Sequence, residues 1–212
     1  MHALVIGATG ATGKQLVQQL LQDSQVEKIT IFVRRPLGFA DPKLQVEVVD
    51  FADSASWADK VRGDVLFSCL GTTLKAAGSK QAQRVIDFDY PVAFAQAAKQ
   101  NGVAKVVLIS AQGANPQSRV FYSRLKGELE QAHIALNLPH LIIFRPPLLE
   151  RENSDRAAEV WFARILHGLN RLGILTSQKP MPVSQLANKM IRAAHQSQNA
   201  LEILQPKDIW AY

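Results

Sequence analysis

The sequence has little cysteine and no long hydrophobic run. Cys69 is the single cysteine among 212 residues, which excludes an internal disulfide framework. No apolar stretch approaches the roughly 20 residues that a transmembrane helix needs. No basic-then-apolar leader precedes the first strand-like run. We therefore expect a soluble, cytoplasmic protein without stable membrane insertion.

The sequence also lacks runs of like charge, and its histidines are not spaced as metal ligands. Its formal net charge is +6, but the basic residues are spread along the chain with no run of four or more. This distribution favours a solvated basic surface over a specific nucleic-acid site. We predict no metal site, because the five histidines show no ligand spacing. They are at positions 2, 133, 140, 167 and 195.

Short apolar runs alternate with amphipathic stretches over the first 150 residues. The runs are continuous, which is typical of strands that are buried on both faces of a parallel sheet. This order predicts an α/β fold with a doubly wound, mainly parallel sheet, in a single domain over residues 1–212. The predicted strands are 3–6, 29–33, 46–49, 65–70, 106–110, 141–144 and 201–204, and the predicted helices include 93–100 and 122–137.

Three glycines with the spacing G-x-x-G-x-x-G lie between the first predicted strand and the first predicted helix. They are Gly7, Gly10 and Gly13. Glycine at this turn lets the backbone approach a pyrophosphate and lets the helix pack closely on the sheet. The helix N-terminus attracts negative charge. The glycines therefore predict dinucleotide binding, with a purely structural turn as the alternative.

The residues after the second predicted strand indicate which dinucleotide binds. An NAD site usually has an acidic residue there for the ribose 2′-hydroxyl, whereas a 2′-phosphate needs a cation. This sequence has Arg34 and Arg35 and no acid. Because the guanidinium fork suits phosphate, we predict NADP(H), with Arg34 as the main contact. The alternative is a pair of surface arginines.

Two further loops are expected at the cofactor. Asp50 and Phe51 follow the third predicted strand, where an adenine ring would lie, although Asp50 is equally well explained as a cap of the strand end. Leu70, Gly71 and Thr72 follow the fourth strand. Small residues there allow the chain to pass close to the cofactor ribose and nicotinamide.

Three side chains later in the sequence suggest catalysis. Ser110 ends the fifth predicted strand, and ligands of open α/β sheets bind beyond the carboxyl ends of the strands. Tyr122 and Lys126 are four residues apart and share one face of a predicted helix. A lysine ammonium near a phenol favours the phenolate, so Tyr122 is a candidate general acid and base. Ser110 could then donate a hydrogen bond to the substrate oxygen.

These features resemble the short-chain dehydrogenase/reductase superfamily, whose extended and atypical branches have the same glycine spacing. Residues 67–79, 85–99, 108–130 and 144–150 are similar to the Tat-interacting, HTATIP-type oxidoreductase-like group. The resemblance implies a Rossmann-type domain with NADP(H) and a catalytic set of Ser110, Tyr122 and Lys126. It also implies that Lys126 holds the nicotinamide ribose.

The resemblance assigns further residues to the site. Arg145 and Pro146 would open the substrate loop, and the asparagine of the superfamily's proton relay is replaced in the matching helix by Asp87 and Asp89. The residues that would surround the cofactor are Gly7, Thr9, Gly10, Ala11, Thr12, Gly13, Arg34, Arg35, Leu70, Gly71, Tyr122, Lys126, Arg145 and Pro146.

The sequence pattern changes after residue 146. We expect residues 147–182 to form an insertion that covers the substrate, because 155–172 has apolar residues at helical spacing. Simple packing of this helix on the core is the alternative, and contact with an acidic membrane is a weaker one. Ser184 is predicted as the N-cap of a following helix.

Together these features predict an NADP(H)-dependent oxidoreductase. Its substrate would be an unidentified small carbonyl or alcohol, with a hydrophobic compound as one option and Tyr122 as the acid/base. The alternative is a non-catalytic, NADPH-sensing regulatory protein that acts through a protein partner, since a fold alone does not determine catalysis.

Overall fold

The computed structural model of the chain describes residues 1–150 and 179–212. Seven strands form one sheet in the order β3-β2-β1-β4-β5-β6-β9, and every neighbouring pair is parallel. This arrangement confirms the predicted doubly wound sheet. The strands of this sheet are β1 (His2–Ile6), β2 (Lys28–Val33), β3 (Leu44–Val48), β4 (Val65–Ser68), β5 (Lys105–Ile109), β6 (His140–Phe144) and β9 (Leu201–Leu204).

The helices flank this sheet on both faces. They are α1 (Ala11–Gln22), α2 (Leu74–Ala77), α3 (Lys80–Arg84), α4 (Tyr90–Gln100), α5 (Phe121–Ala135), α6 (Val183–Gln196) and α7 (Pro206–Ala211). A one-turn π-helix, Val85–Asp89, joins α3 to α4. Two short 3-10 turns, Ser54–Ser56 and Ala58–Lys60, precede β4. No helix in the described ranges is both long and apolar enough to cross a membrane.

The central strands are buried on both faces, which explains their continuous apolar sequences. Successive side chains of a strand point to opposite faces. Ala3 and Val5 pack in the core between the sheet and α1 and α6, whereas Leu4 and Ile6 pack in the core that includes α4 and α5. All four are fully buried.

An aromatic cluster fills the second of these cores. Trp57 stacks on Phe94 with the ring centroids 3.8 Å apart and the planes nearly parallel. Phe32 and Phe51 meet Phe94 edge-on, with centroids 5.2 Å apart in each pair. The indole Nε1 of Trp57 donates to the carbonyl of Asp50 at 3.0 Å, so the cluster also fixes the loop after β3.

The chain order places the site at the middle of the sheet. The chain lays β2 and β3 on one side of β1 and then crosses back to place β4 on the other side. Ligands of open α/β sheets bind at such a reversal, outside the carboxyl ends of the strands. The loops after β1 and β4 are therefore neighbours at the expected position.

In the C-terminal part, the N-cap of the helix that follows residue 182 differs from the prediction. Helix α6 begins at Val183 with Pro182 as its N-cap, so Ser184 lies inside the first turn and is not the cap. Pro182 belongs to a two-residue parallel pair of β7 (Leu149–Glu150) and β8 (Met181–Pro182), and the chain passes from it directly into the helix. Residues 151–178, which include the predicted helix 155–172 and most of the predicted insertion 147–182, lie outside the described residues.

Candidate active site

The glycine turn between β1 and α1 is held by close backbone contacts. Gly7 has a φ of +78°, a left-handed conformation that side chains disfavour. A Cβ atom on Gly7 would lie 2.5 Å from the carbonyl carbon of Cys69, and one on Gly13 would lie 2.1 Å from the carbonyl oxygen of Gly7. The loop after β4 can therefore approach the turn because Gly7 has no side chain, and α1 can pack against the turn because Gly13 has none.

The first turn of α1 offers unpaired amide groups to an anion. Gly10 is the N-cap and has no side chain to accept their hydrogen bonds, and the first turn contains no acidic residue. A helix N-terminus of this kind attracts phosphate. Thr9, Gly10 and Ala11 are exposed, while Thr12 is buried, so the predicted pyrophosphate residues lie together around an accessible turn.

Arg34 and Arg35 follow β2 directly and are both exposed. No carboxylate within residues 1–150 and 179–212 forms a salt bridge with either of them. Their guanidinium groups are therefore available to a ligand at the carboxyl end of β2, and the predicted contact with a 2′-phosphate stays a prediction.

The two residues predicted at the adenine ring, Asp50 and Phe51, both have partners within the protein. A carboxylate oxygen of Asp50 accepts the amide of Ala52 at 2.9 Å, which stabilises the turn. The Phe51 side chain is buried and meets Tyr90 and Phe94 edge-on. The ring of Phe51 is thus part of the core, and contact of this loop with adenine would fall to other atoms.

The loop after β4 is fixed from below by a carboxylate. Leu70 is half-buried and Gly71 is exposed. The amide of Thr72 donates to Oδ1 of Asp87 at 2.7 Å, and the Gln83 side chain donates to the Thr72 carbonyl at 3.2 Å. The predicted ribose contacts are therefore positioned by the helical segment that contains Asp87.

Helix α5 brings Tyr122 and Lys126 together, as their spacing predicts. The Lys126 ammonium lies 5.9 Å from the centre of the Tyr122 ring. Tyr122 is 42% exposed and Lys126 is 2% exposed, so the phenol faces solvent while the lysine lies beneath it. This placement suits a phenol that exchanges a proton with a ligand, supported by a cation from inside the protein.

Ser110 is buried at the end of β5, and its hydroxyl is already engaged. Its amide donates to the carbonyl of Phe144 at 2.7 Å, which fixes the residue at the carboxyl edge of the sheet. Its hydroxyl donates to Oε1 of Glu130 at 2.5 Å. Because a serine hydroxyl has one proton, its oxygen can only accept a hydrogen bond from a ligand while this contact persists.

Glu130 also forms a two-point ion pair with Arg145. Nε of Arg145 donates to Oε1 at 2.9 Å, and Nη2 donates to Oε2 at 2.6 Å. These bonds raise the pKa of the Arg145 guanidinium. Glu130 is buried and Arg145 is partly exposed. The pair joins α5 to the end of β6, beside Ser110.

Sequence reasoning missed Glu130, although a signal was present. Tyr122, Lys126 and Glu130 are each four residues apart, so the rule that paired the first two extends one helical turn further. The resemblance places Arg145 at the substrate loop, and the structure shows that its guanidinium binds Glu130. Pro146 is buried, and its carbonyl accepts the amide of Gln112 at 3.1 Å, which ties two loops of this edge together.

Neither the cysteine nor a second cavity adds a reactive side chain to this site. Burial raises the pKa of the Cys69 thiol to about 12, so this cysteine is not a nucleophile at neutral pH. A cavity of about 520 Å³ lies between α1 and α6 and includes Gln22, Asp23 and Lys189. It involves the end of α1, whereas the glycine turn is at its beginning.

Comparisons with known proteins agree with this geometry. The model of the NAD(P)H-binding family matches residues 7–154. The chain is 40% identical over 163 residues to Protein FMP52, mitochondrial, of Saccharomyces cerevisiae, covering 74% of this chain and 70% of that protein. It is 36% identical over 168 residues to Protein HTATIP2 of Rattus norvegicus, covering 77% of this chain and 74% of that protein.

Solved structures show the same fold at low sequence identity. MoeE5 in complex with UDP-glucose and NAD superposes with a TM-score of 0.72 at 15% identity, covering 96% of this chain and 75% of that chain. The Bordetella bronchiseptica enzyme WbmH in complex with NAD+ gives a TM-score of 0.70 at 16% identity, covering 92% and 72%.

The expectation of a cytoplasmic location is wrong. Relatives from several fungi, including that of Saccharomyces cerevisiae, are named as mitochondrial proteins. The composition and apolar patterns from which the expectation is drawn do not distinguish between these compartments.

Proposed function

The chain belongs to the NAD(P)H-binding family, within the atypical short-chain dehydrogenase/reductase group that includes FMP52 and HTATIP2, and from this premise we propose that it is an NADP(H)-dependent oxidoreductase. Its substrate is a small carbonyl compound or the corresponding alcohol. The observation that carries this proposal is the Tyr122 and Lys126 pair on α5, with an exposed phenol above a buried ammonium.

The residues at the turn fit a dinucleotide. The glycine cradle would be filled by a Cβ atom at Gly7 or Gly13, and the first amides of α1 face the same space. Arg34 and Arg35 at the end of β2 supply positive charge for a 2′-phosphate. These features support NADP(H) over NAD(H).

The proposed reaction divides between cofactor and protein. NADPH bound at the glycine turn would supply the hydride that reduces the carbonyl carbon. Tyr122 donates its phenolic proton to the carbonyl oxygen, which completes the alcohol, and Lys126 stabilises the resulting phenolate. Ser110 accepts a hydrogen bond from the phenol or the product hydroxyl, because its own proton is held by Glu130.

The test is the Tyr122→Phe variant in a panel of aldehydes, ketones and quinones, with NADPH oxidation followed by absorbance. We expect turnover to fall by about 100-fold or more, because acid–base catalysis by one residue typically contributes 10²–10⁴-fold. The dissociation constant for NADPH should change little. Turnover of an identified substrate that is equal in wild type and variant would contradict the mechanism.

The engaged hydroxyl of Ser110 favours a second candidate function. If the Glu130 contact persists with cofactor bound, Ser110 cannot donate to a substrate oxygen. Carbonyl reduction would then depend on Tyr122 without a second donor, and a protein in which this is too slow would act as an NADPH-sensing module through a protein partner. Micromolar NADPH binding without turnover of any carbonyl in the panel would favour this candidate over the enzyme.

A further inference from the structure

Gly127 lies in the middle of helix α5, at a position that does not suit a glycine. Glycine in a helix interior is less stable than alanine. The residue is buried and directly follows Lys126. A Cβ atom there would lie 2.2 Å from the backbone nitrogen of Pro116 and 2.4 Å from the carbonyl carbon of Asn115. The missing side chain therefore lets the loop between β5 and α5 rest directly on the backbone of the helix.

This loop, residues 111–120, connects Ser110 at the end of β5 to Tyr122 at the start of α5. Loops are usually more mobile than the elements that they connect. Here the amides of many loop residues donate hydrogen bonds, which indicates a single, well-held conformation. The donating amides are those of Gln112, Ala114, Asn115, Gln117, Ser118 and Val120.

Two hydrogen bonds tie the loop to α5 beside Gly127. The amide of Asn115 donates to the carbonyl of Ser123 at 2.9 Å. Nη1 of Arg124 donates to the carbonyl of Ser118 at 2.8 Å. The first bond needs the close approach at Gly127, because Ser123 and Gly127 are four residues apart on one face of the helix. The loop can therefore keep its place only while residue 127 has no side chain.

We propose that Gly127 is a positioning residue, which seats loop 111–120 against α5 and thereby fixes the Tyr122 phenol relative to Ser110 before any ligand binds. This inference rests on the proposed function, since that function assigns a part in the reaction to these two residues. Ordinary contact begins at 3.4 Å, against 2.2 Å for a Cβ atom at residue 127, so loop and helix would have to separate by about 1 Å. A misplacement of about 1 Å away from the reacting atoms can reduce turnover about 100-fold.

The first experiment follows backbone hydrogen exchange of the ligand-free protein by mass spectrometry. In Gly127→Ala we expect the loop amides, and that of Asn115 above all, to exchange at least about tenfold faster than in the wild type, because the loop must lift from α5. The control is Gln131→Ala, at an exposed residue one helical turn further along the same face, and it should leave the exchange unchanged. Unchanged exchange of the loop in Gly127→Ala would overturn the seating role.

The second experiment separates positioning from folding. With a carbonyl compound that the wild type reduces, we expect the kcat of Gly127→Ala to fall about 100-fold. The dissociation constants for NADPH and for 2′,5′-ADP, which contains the adenosine half and lacks the nicotinamide ribose, should stay unchanged in calorimetry. Partial unfolding would instead lower turnover and the number of binding sites for both ligands in proportion. That proportional loss, or a kcat equal to that of the wild type, would overturn the proposal.

A variant without a clash tests the same loop at the protein surface. Arg124→Met removes the bond to Ser118 and should lower kcat about fivefold, as expected for one hydrogen bond. In the Gly127→Ala background it should cause no further loss, because the loop has already left α5, and additive losses would overturn the proposal. Glu128→Ala, which removes only the ion pair of Arg124, is the control and should leave kcat unchanged.

The surface variant also decides the case in which Gly127→Ala does not fold. Loop exchange and turnover of Arg124→Met that equal those of the wild type would then overturn the seating role. Wild-type protein that reduces no carbonyl compound would instead refute the proposed function, and this inference with it.

Discussion

The two halves of the candidate site are built by different means. At the glycine turn, the backbone of residues 7–13 makes the space, and every contact is between neighbours in the sequence or with the adjacent loop after β4. On the side of Tyr122, the site is a set of side chains from the ends of β5 and β6, from α5 and from the π-helix. Apart from the Tyr122 and Lys126 pair on one helix, these side chains depend on partners that are 15 or 20 residues away in the sequence.

This difference separates two kinds of sensitivity to mutation. A site made by backbone is lost when a side chain fills it. A site made by buried ionic groups is lost when one partner is removed, because the remaining charge has no compensation. The following changes separate these cases, in order of decreasing expected effect.

Glu130→Ala is expected to have the largest effect, a loss of about 3–5 kcal/mol in the free energy of unfolding, as is typical when one partner of a buried ion pair is removed. It leaves Arg145 without its two hydrogen bonds and frees the hydroxyl of Ser110. Urea unfolding measures the loss.

The matched control for this change lies two residues earlier. Glu128 pairs with Arg84 and Arg124 at the surface, where all three side chains are about one third exposed. Glu128→Ala should cost less than about 1 kcal/mol. If Glu128→Ala and Glu130→Ala cost the same, the buried network would not hold this side of the site together.

Gly13→Ala should abolish cofactor binding at the other half. Its Cβ atom would lie 2.1 Å from the carbonyl oxygen of Gly7, so the turn must open. We expect NADPH and 2′,5′-ADP to weaken equally, by at least 100-fold, which corresponds to about 2.7 kcal/mol. Gly38→Ala is the control, because a Cβ atom there meets nothing within 4 Å. Loss of NADPH alone in Gly13→Ala would contradict the division into two halves.

Arg34→Ala should have the smallest effect and the most selective one. Loss of a hydrogen bond between an arginine and a phosphate costs about 1.5–3 kcal/mol at most, so the dissociation constant for NADPH should rise about tenfold. The constant for NADH should remain nearly constant, since it lacks the 2′-phosphate. Arg62→Ala, an exposed arginine before β4, is the control. Equal changes for NADPH and NADH in Arg34→Ala would contradict the NADP preference.

The sequence was sufficient for the sheet and for the glycine turn. Runs such as 29–33 and 141–144 lie within β2 and β6, because strands buried on both faces need continuous apolar residues. Boundaries shifted where local rules compete. Helix α4 begins at Tyr90, before the predicted start at 93, since Pro91 is tolerated in a first helical turn.

The polar network could not be predicted from local patterns. The spacing of Tyr122 and Lys126 fixes their common face, but the partner of Glu130 is Arg145, from another element, and that of Asp87 is Thr72. Such long-range pairs decide whether a charged residue is buried. A helical pattern alone does not tell which of Asp87 and Asp89 is buried. The structure buries the first and exposes the second.

The stacked Trp57 and Phe94 pair gives the protein an optical probe of its own fold. The indole is fully buried and is bonded to Asp50, at the end of β3, where the adenosine half of a dinucleotide would lie. A buried indole fluoresces at shorter wavelength than one in water, so opening of this aromatic cluster shifts the emission to the red. Exchange of Trp210 and Trp161 for phenylalanine would leave Trp57 as the only indole, since the chain has three tryptophans. Its emission would then report on the adenosine side of the site without any added label.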